Sequence, residues 1–388
     1  MAESASSTKT GARLAGEVSG AFADLGTFLP LALGVLAVGS GTPGGVLTGF
    51  GLFALAVALI YRRPLPVQPM KAVAALAIVG GLTAAQMAAS GLLIGLALVA
   101  LAAFGLIEKL ARFLPQSVLA GIQLGLGGIL VLLGLDLALQ EPWVGGLALA
   151  ALLLLQLTPL RGFSCLLVLG GALAWSLLGA GRTLPELTPS LTLPALALPA
   201  IADFRAAAEG VFLPQLALTL TNAVLLTAVV AGELFPQDRA RIASRRLAFS
   251  SGALNLLLAP FGALPMCHGA GGLVAQHRFG ARSGLAPAIF GTLCLILGLF
   301  YAADALALLG LLPLAAVGAL LAYAGAEFAL SKRLFDGRPS CLVVILLTAA
   351  VCIAVNVAVG LIVGLIAEWL RGWLLRRWFA RKESRSET

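Results

Sequence analysis

Long apolar runs, interrupted by short clusters of charge, proline and glycine, dominate the pattern along this chain. Gly91 to Ile107, Val118 to Leu135, Val211 to Val230 and Leu342 to Ile366 approach or exceed the roughly 20 residues that a membrane-crossing helix needs. Cutting at charges, prolines and glycines predicts fourteen spans, at 16–38, 44–61, 65–81, 84–107, 116–137, 143–158, 163–181, 211–234, 247–261, 264–279, 285–303, 306–326, 340–355 and 357–378. The long connection from Arg182 to Gly210, rich in Pro and Leu, divides them seven and seven.

Composition sharpens this picture. The 388 residues are 60% hydrophobic and 11% charged, against roughly 25% charged in ordinary globular domains, which rules out a water-soluble enzyme. The net charge of +8 has no basic patch interleaved with exposed aromatics, so a nucleic-acid partner is not expected. With the N-terminus inside, the inner loops hold Arg62, Arg63, Lys109, Arg112, Arg161, Arg239, Arg241, Arg245, Arg246, Arg278, Arg282, Lys332, Arg333 and Arg338. The same side takes both termini, with Arg371, Arg376, Arg377, Arg381, Lys382 and Arg385, and only Arg182 and Arg205 fall outside. This asymmetry is what the positive-inside rule requires, and it places both termini in the cytoplasm of a bacterial-type inner membrane. The polar start, Met1 to Arg13, lacks a clear cleavage site and reads as a cytoplasmic tail. Cys165, Cys267, Cys294, Cys341 and Cys352 form no C-x-x-C pair, so neither a disulfide framework nor a zinc site is expected.

The third span begins Leu65-Pro66-Val67-Gln68-Pro69-Met70-Lys71, and the tenth, third in its own half, begins Leu264-Pro265-Met266-Cys267-His268-Gly269-Ala270. Seven spans per half insert the two copies upside down relative to each other, an inverted repeat of the secondary-transporter kind, with residues 1–181 and 211–388 joined by an outer linker, 182–210. Proline and glycine keep both segments extended until about Pro69 and His268, so two half-helices should begin near the bilayer midplane. Free N–H groups of Met70, Lys71 and Ala72 would then face those of Gly269, Ala270 and Gly271, with two positive dipole ends converging on an anion site. Lys71 adds a charge that is costly in hydrocarbon. It is either a ligand or the structural partner of Asp24, and both roles can hold together.

The glycines at 269, 271 and 272 admit close approach of a ligand or of a packed helix. Asp24, Thr27, Gln123, Gln140, Asn222, Glu233, His268 and Asn356 are the other polar groups at membrane depth. At the repeat offset Asn222 falls one position from Asp24, which brings both to a similar depth; Asn222 and Gln123 suit ligand contact or an interhelical hydrogen bond equally. His268 could bind the anion, carry a proton or cap its half-helix. Glu233 reads as a surface carboxylate, and the G-x-x-x-G runs Gly121 to Gly125 and Gly360 to Gly364 as helix packing. G-x-S-x-G, H-E-x-x-H and Walker-type runs are absent, so no enzyme, cofactor, metal or nucleotide site is expected.

The segments Gly20-Ala-Phe-Ala-Asp24-Leu-Gly-Thr27-Phe-Leu-Pro30, Pro66-Val-Gln-Pro-Met-Lys71-Ala and Pro265-Met-Cys-His268-Gly-Ala-Gly-Gly272-Leu-Val-Ala-Gln276-His-Arg-Phe-Gly280-Ala-Arg282-Ser-Gly284 resemble the signatures of the molybdate transporter family, a branch of the sulfate-permease superfamily. His277 departs from the tyrosine expected after the glutamine. The resemblance implies an all-α, uracil-permease-like membrane fold, with a core domain at 16–107 and 211–303 and a gate domain at 116–181 and 306–378. It also implies molybdate as substrate, no C-terminal STAS domain and a homodimer through the gate. On that reading Lys71 supplies charge, the backbone from Pro69 to Ala72 and from Cys267 to Gly271 surrounds the ion, with N–H groups from Met70 onward and from Cys267 onward, and Gln68, Gln123, Asn222 and His268 orient it. The rivals are sulfate, tungstate or bicarbonate transport, a nucleobase permease, for which the eighth span offers Asn222 where a carboxylate would be wanted, and an anion channel.

Overall fold

The computed structural model describes residues 13–111, 115–158, 160, 164–330 and 339–386. Arg112, Arg161, Lys332, Arg333 and Arg338, counted above on the basic side, and the polar start up to Ala12 lie outside the described residues. The first half comprises α1 (Leu25–Ala37, preceded by a helical stretch over 13–21), α2 (Pro43–Tyr61), the two-residue strand β1 (Gln68–Pro69), the half-helix α3 (Lys71–Ile78), α4 (Ala84–Ala103), α5 (Gln116–Ala138), α6 (Pro142–Gln156) and α7 (Ser164–Ala174, prolonged by a π turn to Gly179). The second comprises α8 (Ile201–Leu234), α9 (Ser244–Leu258), β2 (Met266–Cys267), the half-helix α10 (Ala270–Arg278), α11 (Leu285–Phe300), α12 (Ala302–Leu311), α13 (Leu314–Ala329), α14 (Leu342–Ala354) and α15 (Val357–Ser386).

Local chemistry explains several of these boundaries. Pro43 opens α2 where its missing N–H costs nothing, and Thr42 caps it by accepting from the Gly45 N–H at 3.2 Å. Thr83 and Gln86 form a reciprocal capping box at the head of α4, with bonds of 3.2 and 3.0 Å. Six helices, 13–37, α2, α4, α5, α8 and the first 21 residues of α15, are long and apolar enough to cross a bilayer; α6, α7, α11, α13 and α14 are shorter apolar helices. With α9 and the two half-helices they supply the fourteen expected segments.

Two boundaries differ from the expectation. The eighth span starts at Ile201, where the Asp203 carboxylate accepts from the Ala200 N–H at 2.9 Å and so starts the helix inside the stretch read as linker. The twelfth is divided: Pro313 cannot continue a helix from Leu311, so α12 ends there and the spanning helix α13 runs three residues beyond the expected end, to Ala329. Glu327 therefore belongs to this span.

Packing follows the inverted repeat. The second span packs on the eleventh and the fourth on the ninth; the exchange of halves that takes two to nine takes eleven to four, so each contact is the image of the other. The fifth span against the twelfth, and the third against the tenth, are their own images. Along α5 and α13 the backbones nearly touch: a Cβ on Gly318 would stand 2.6 Å from the Gly134 carbonyl oxygen. Gly121, Gly125, Gly360 and Gly364 all abut α14 around Thr348 and Cys352, so both G-x-x-x-G runs serve packing.

Basic loops gather on one face. Arg63 pairs with Asp238 and donates to the Arg282 carbonyl at 2.9 Å, while Arg245 donates to the last turn of α4 at 2.7 Å. On the opposite face the extended linker lies across the ends of other helices, with Ser190 N–H to Phe300 O at 2.8 Å and Ala197 N–H to Pro260 O at 2.8 Å.

Candidate functional site

The two broken spans meet as an antiparallel pair, with Gln68 opposite Cys267 and Pro69 opposite Met266. Extended backbone at this depth needs every polar group satisfied. The Met70 N–H donates to the Pro265 carbonyl at 2.8 Å, and Asn255 of α9 closes the free edge of β2, donating to the Met266 carbonyl at 2.6 Å and accepting its N–H at 2.9 Å. His268 is buried; its Nδ1 lies 3.0 Å from the Pro66 carbonyl oxygen, and its ring sits edge-on to Phe53 and Tyr61, each 6.0 Å away. It thus ties one broken span to the other rather than capping its own half-helix.

The half-helices begin at Lys71 and Ala270, as expected, but their N-termini are unequally available. The Met70 N–H is used in the strand pair, and the Ala72 N–H donates to Gln215 Oε1 of α8 at 2.8 Å, while the side chains of Met70 and Ala72 are fully buried. These two residues therefore contribute no free donor, because the neighbouring elements claim their N–H groups. Gln215 Nε2 in turn donates to Thr219 at 2.9 Å.

Between the strand pair and α8 lies a void of about 20 Å³ lined by Gln68, Pro69, Lys71, Gln123, Asn222, Cys267 and His268, room for a single water and too little for a tetrahedral oxyanion. Two larger cavities adjoin it. One of about 380 Å³ is walled by Asp24, Gln68, Ala270 and Arg278 among others, and one of about 830 Å³ by Leu31, Gln123, Leu130 and Phe328 among others. Both share Thr27, Lys71, Asn222, Gly271, Tyr323 and Glu327. Of the sequence-derived candidates, Lys71, Asn222, Thr27 and Gly271 thus converge on one junction. Asp24, Gln68, Gly269 and Ala270 stand beside it, Gln123 lines its other flank, and Pro69, Cys267 and His268 line the small void.

The three glycines divide by role. A Cβ on Gly269 would strike the Gln68 amide, and one on Gly272 would come within 2.5 Å of an Asp24 carboxylate oxygen, whereas one on Gly271 would meet nothing within 4 Å. Two are small so that Gln68 and Asp24 can lie against α10; the third opens onto the cavity. Gln68 Nε2 donates to Asp24 at 2.7 Å, and no ion pair joins Asp24 to Lys71 among the described residues. The Asp24 carboxylate is oriented by the amide, and Lys71 Nζ lies over the Phe328 ring at 5.3 Å, leaving it available to the cavity. Asn222 sits within a π-helical stretch, Thr219–Leu226, a local widening frequent at functional sites.

Sequence reasoning missed Gln215, Tyr323 and Glu327. The Tyr323 hydroxyl donates to Glu327 Oε1 at 2.8 Å, and the i, i+4 spacing of the two on an apolar helix was the available signal. Glu233 is exposed and remote from the cavities, as expected. Asn356 accepts the Val359 N–H at 2.8 Å and caps α15. His277 stacks edge-on against Phe235 at 5.6 Å, away from the cavity lining.

A family model described as "Molybdate transporter of MFS superfamily" matches residues 16–130 and 207–328, which include every residue of the junction. The chain belongs to this family. Molybdate transporter 2 of Arabidopsis thaliana is 30% identical over 386 residues, covering 87% of this chain and 82% of the relative. Among solved structures, the transmembrane domain of a cyanobacterial bicarbonate transporter, BicA, aligns with a TM-score of 0.65 at 20% identity, over 90% of this chain and 97% of that one. The murine Solute Carrier 26 family member A9 anion transporter in the inward-facing state aligns with a TM-score of 0.58 at 15% identity, over 89% and 68%. The fold shared with these two transporters has seven spans in each inverted half.

Proposed function

We propose that this family member is a secondary carrier of a tetrahedral oxyanion, molybdate in the first place. The observation that carries this reading is the shared opening of Lys71 and Gly271, a full positive charge beside a half-helix N-terminus, onto one water-accessible cavity. Lys71 supplies charge, the α10 N-terminus directed donors, and Thr27 and Asn222 hydrogen bonds. The core domain, residues 16–107 and 211–303, holds these groups, and the gate domain, 116–181 and 306–378, walls the opposite side with Gln123, Tyr323 and Phe328. Rocking of one against the other exposes the site alternately.

The larger cavities extend from the half-helix tips past Arg278 and Leu330 toward the basic face. With that face in the cytoplasm of the plasma membrane, on the positive-inside argument, the site is open to the inside. A dimer through the gate domain fits the apolar outer surface of α6 and α14, where Leu147, Leu154, Val343 and Leu346 are exposed.

The test is uptake of labelled molybdate into vesicles holding the purified protein, with excess sulfate or bicarbonate in parallel samples and Lys71→Ala as the comparison. Saturable uptake that survives both competitors and is lost in the variant is the expected result. Full suppression by sulfate makes it a general oxyanion carrier, suppression by bicarbonate alone overturns the tetrahedral preference, and undiminished uptake by Lys71→Ala overturns the site.

A further inference from the structure

The charge around the junction is wrong for a dianion taken alone. Lys71 and Glu327 line both cavities, and the smaller one adds the Asp24 carboxylate and, further along its wall, Arg278, so that Lys71 is the cation at the junction itself. A molybdate placed beside Lys71 would bring two further negative charges against both carboxylates at membrane depth, where screening is weak. The carboxylates differ in their surroundings. Asp24 lies on the core side, packed against Gly272 of α10, and its carboxylate accepts from Gln68 at 2.7 Å. Glu327 belongs to α13, is water-accessible from both cavities, and accepts from the Tyr323 hydroxyl at 2.8 Å.

We propose that Glu327 is the coupling site of this carrier, taking up one proton for each oxyanion bound at Lys71. The proposal rests on the oxyanion reading above and deepens it. Protonation removes the negative charge that the gate presents to the anion and leaves Glu327 a hydrogen-bond donor toward it. Loss of the anion restores the carboxylate and releases the proton to the same compartment, so proton and anion move together.

The charged and titratable groups facing Glu327 are Tyr323 on its own helix, Asp24 from α1, Cys165 from α7 and Lys71 from α3, with Arg278 of α10 at the cavity mouth. Lys71 and Glu327 line the same two cavities, so an anion engaging Lys71 arrives as new negative charge beside the carboxylate. The sign follows: affinity rises as pH falls. A metal cation is the less fitting partner, because the described residues contain no cluster of three or more His, Cys, Asp or Glu able to hold one.

The experiment is titration of the purified full chain with molybdate, from mildly acidic to mildly alkaline pH where molybdate stays a dianion, in paired buffers of different ionisation heat so that proton uptake is counted directly. Wild type should take up about one proton per anion, and its affinity should fall as pH rises, by up to about tenfold per pH unit. Glu327→Gln should abolish the uptake and flatten the pH profile near the wild-type acidic limit, while Asp24→Asn should retain the uptake. Binding by wild type without proton uptake, or uptake that persists in Glu327→Gln, overturns the coupling assignment while leaving the anion site standing. Affinity that depends on sodium rather than on pH does the same. No molybdate binding by wild type at any pH defeats the oxyanion reading itself. The wild-type proton count stands even where a variant fails to fold.

Discussion

Gly272 offers a sharp test of how the half-helix is seated. An alanine there would place its Cβ 2.5 Å from Asp24 Oδ2 and 2.7 Å from both Asp24 Cγ and Gln68 Nε2. Ordinary contact begins near 3.4 Å, so the carboxylate must retreat by ~1 Å and its bond to Gln68 is lost. Overpacking of this kind costs about 1–3 kcal/mol and a hydrogen bond to a charged group about 1.5–3, while alanine returns up to about 1 kcal/mol of helix propensity, for a net loss of about 1.5–5 kcal/mol. Gly271→Ala, one residue away with nothing within 4 Å of its Cβ, receives the propensity gain without the clash. Unfolding of both variants in mixed micelles, followed by tryptophan fluorescence against denaturant, should rank Gly272→Ala below wild type and Gly271→Ala at or above it. In an Asp24→Ala background the penalty of Gly272→Ala should nearly vanish, a non-additivity that assigns it to this contact. Equal stability of the two single variants, or additive behaviour in the double, would refute the packing argument.

Asn255→Ala should destabilise by about 2–5 kcal/mol, since it strands both the buried N–H and the carbonyl of Met266; a thermal midpoint within error of wild type would show that the strand pair does not depend on this bracket. Arg63→Ala should cost about 1 kcal/mol or less, because its pair with Asp238 is partly exposed at 28% and 12% of the two side chains. That cost should shrink as salt is added, and a large salt-independent loss would assign Arg63 a role beyond the surface pair.

Much of this protein is legible in its sequence, because membrane insertion is governed by quantities that are local in the chain. Apolar length and the prolines at 66, 69 and 265 each act within about twenty residues, so the spans and the two breaks follow without any tertiary contact. Where the expectation slipped, the deciding chemistry was also near at hand: Pro313 and Asp203 shift two boundaries by their immediate effect on the backbone.

Tertiary structure decided which groups remain free. By sequence Lys71 is an anion ligand, the structural partner of Asp24, or both; in the structure Gln68 takes the carboxylate and leaves the ammonium to the cavity. Met70 and Ala72 have free N–H groups in an isolated half-helix and none once β2 and Gln215 have docked. Gly269, Gly271 and Gly272 look alike in sequence, and only the packing of Gln68 and Asp24 separates the one that opens on the cavity from the two that seat α10. Glu327 reaches the site because α13, packed on α5 and α1 from far along the chain, lines the same cavities as Lys71 and Gly271. Availability of a donor or a charge is a property of its neighbours in space, and in an inverted repeat those neighbours lie about half a chain away.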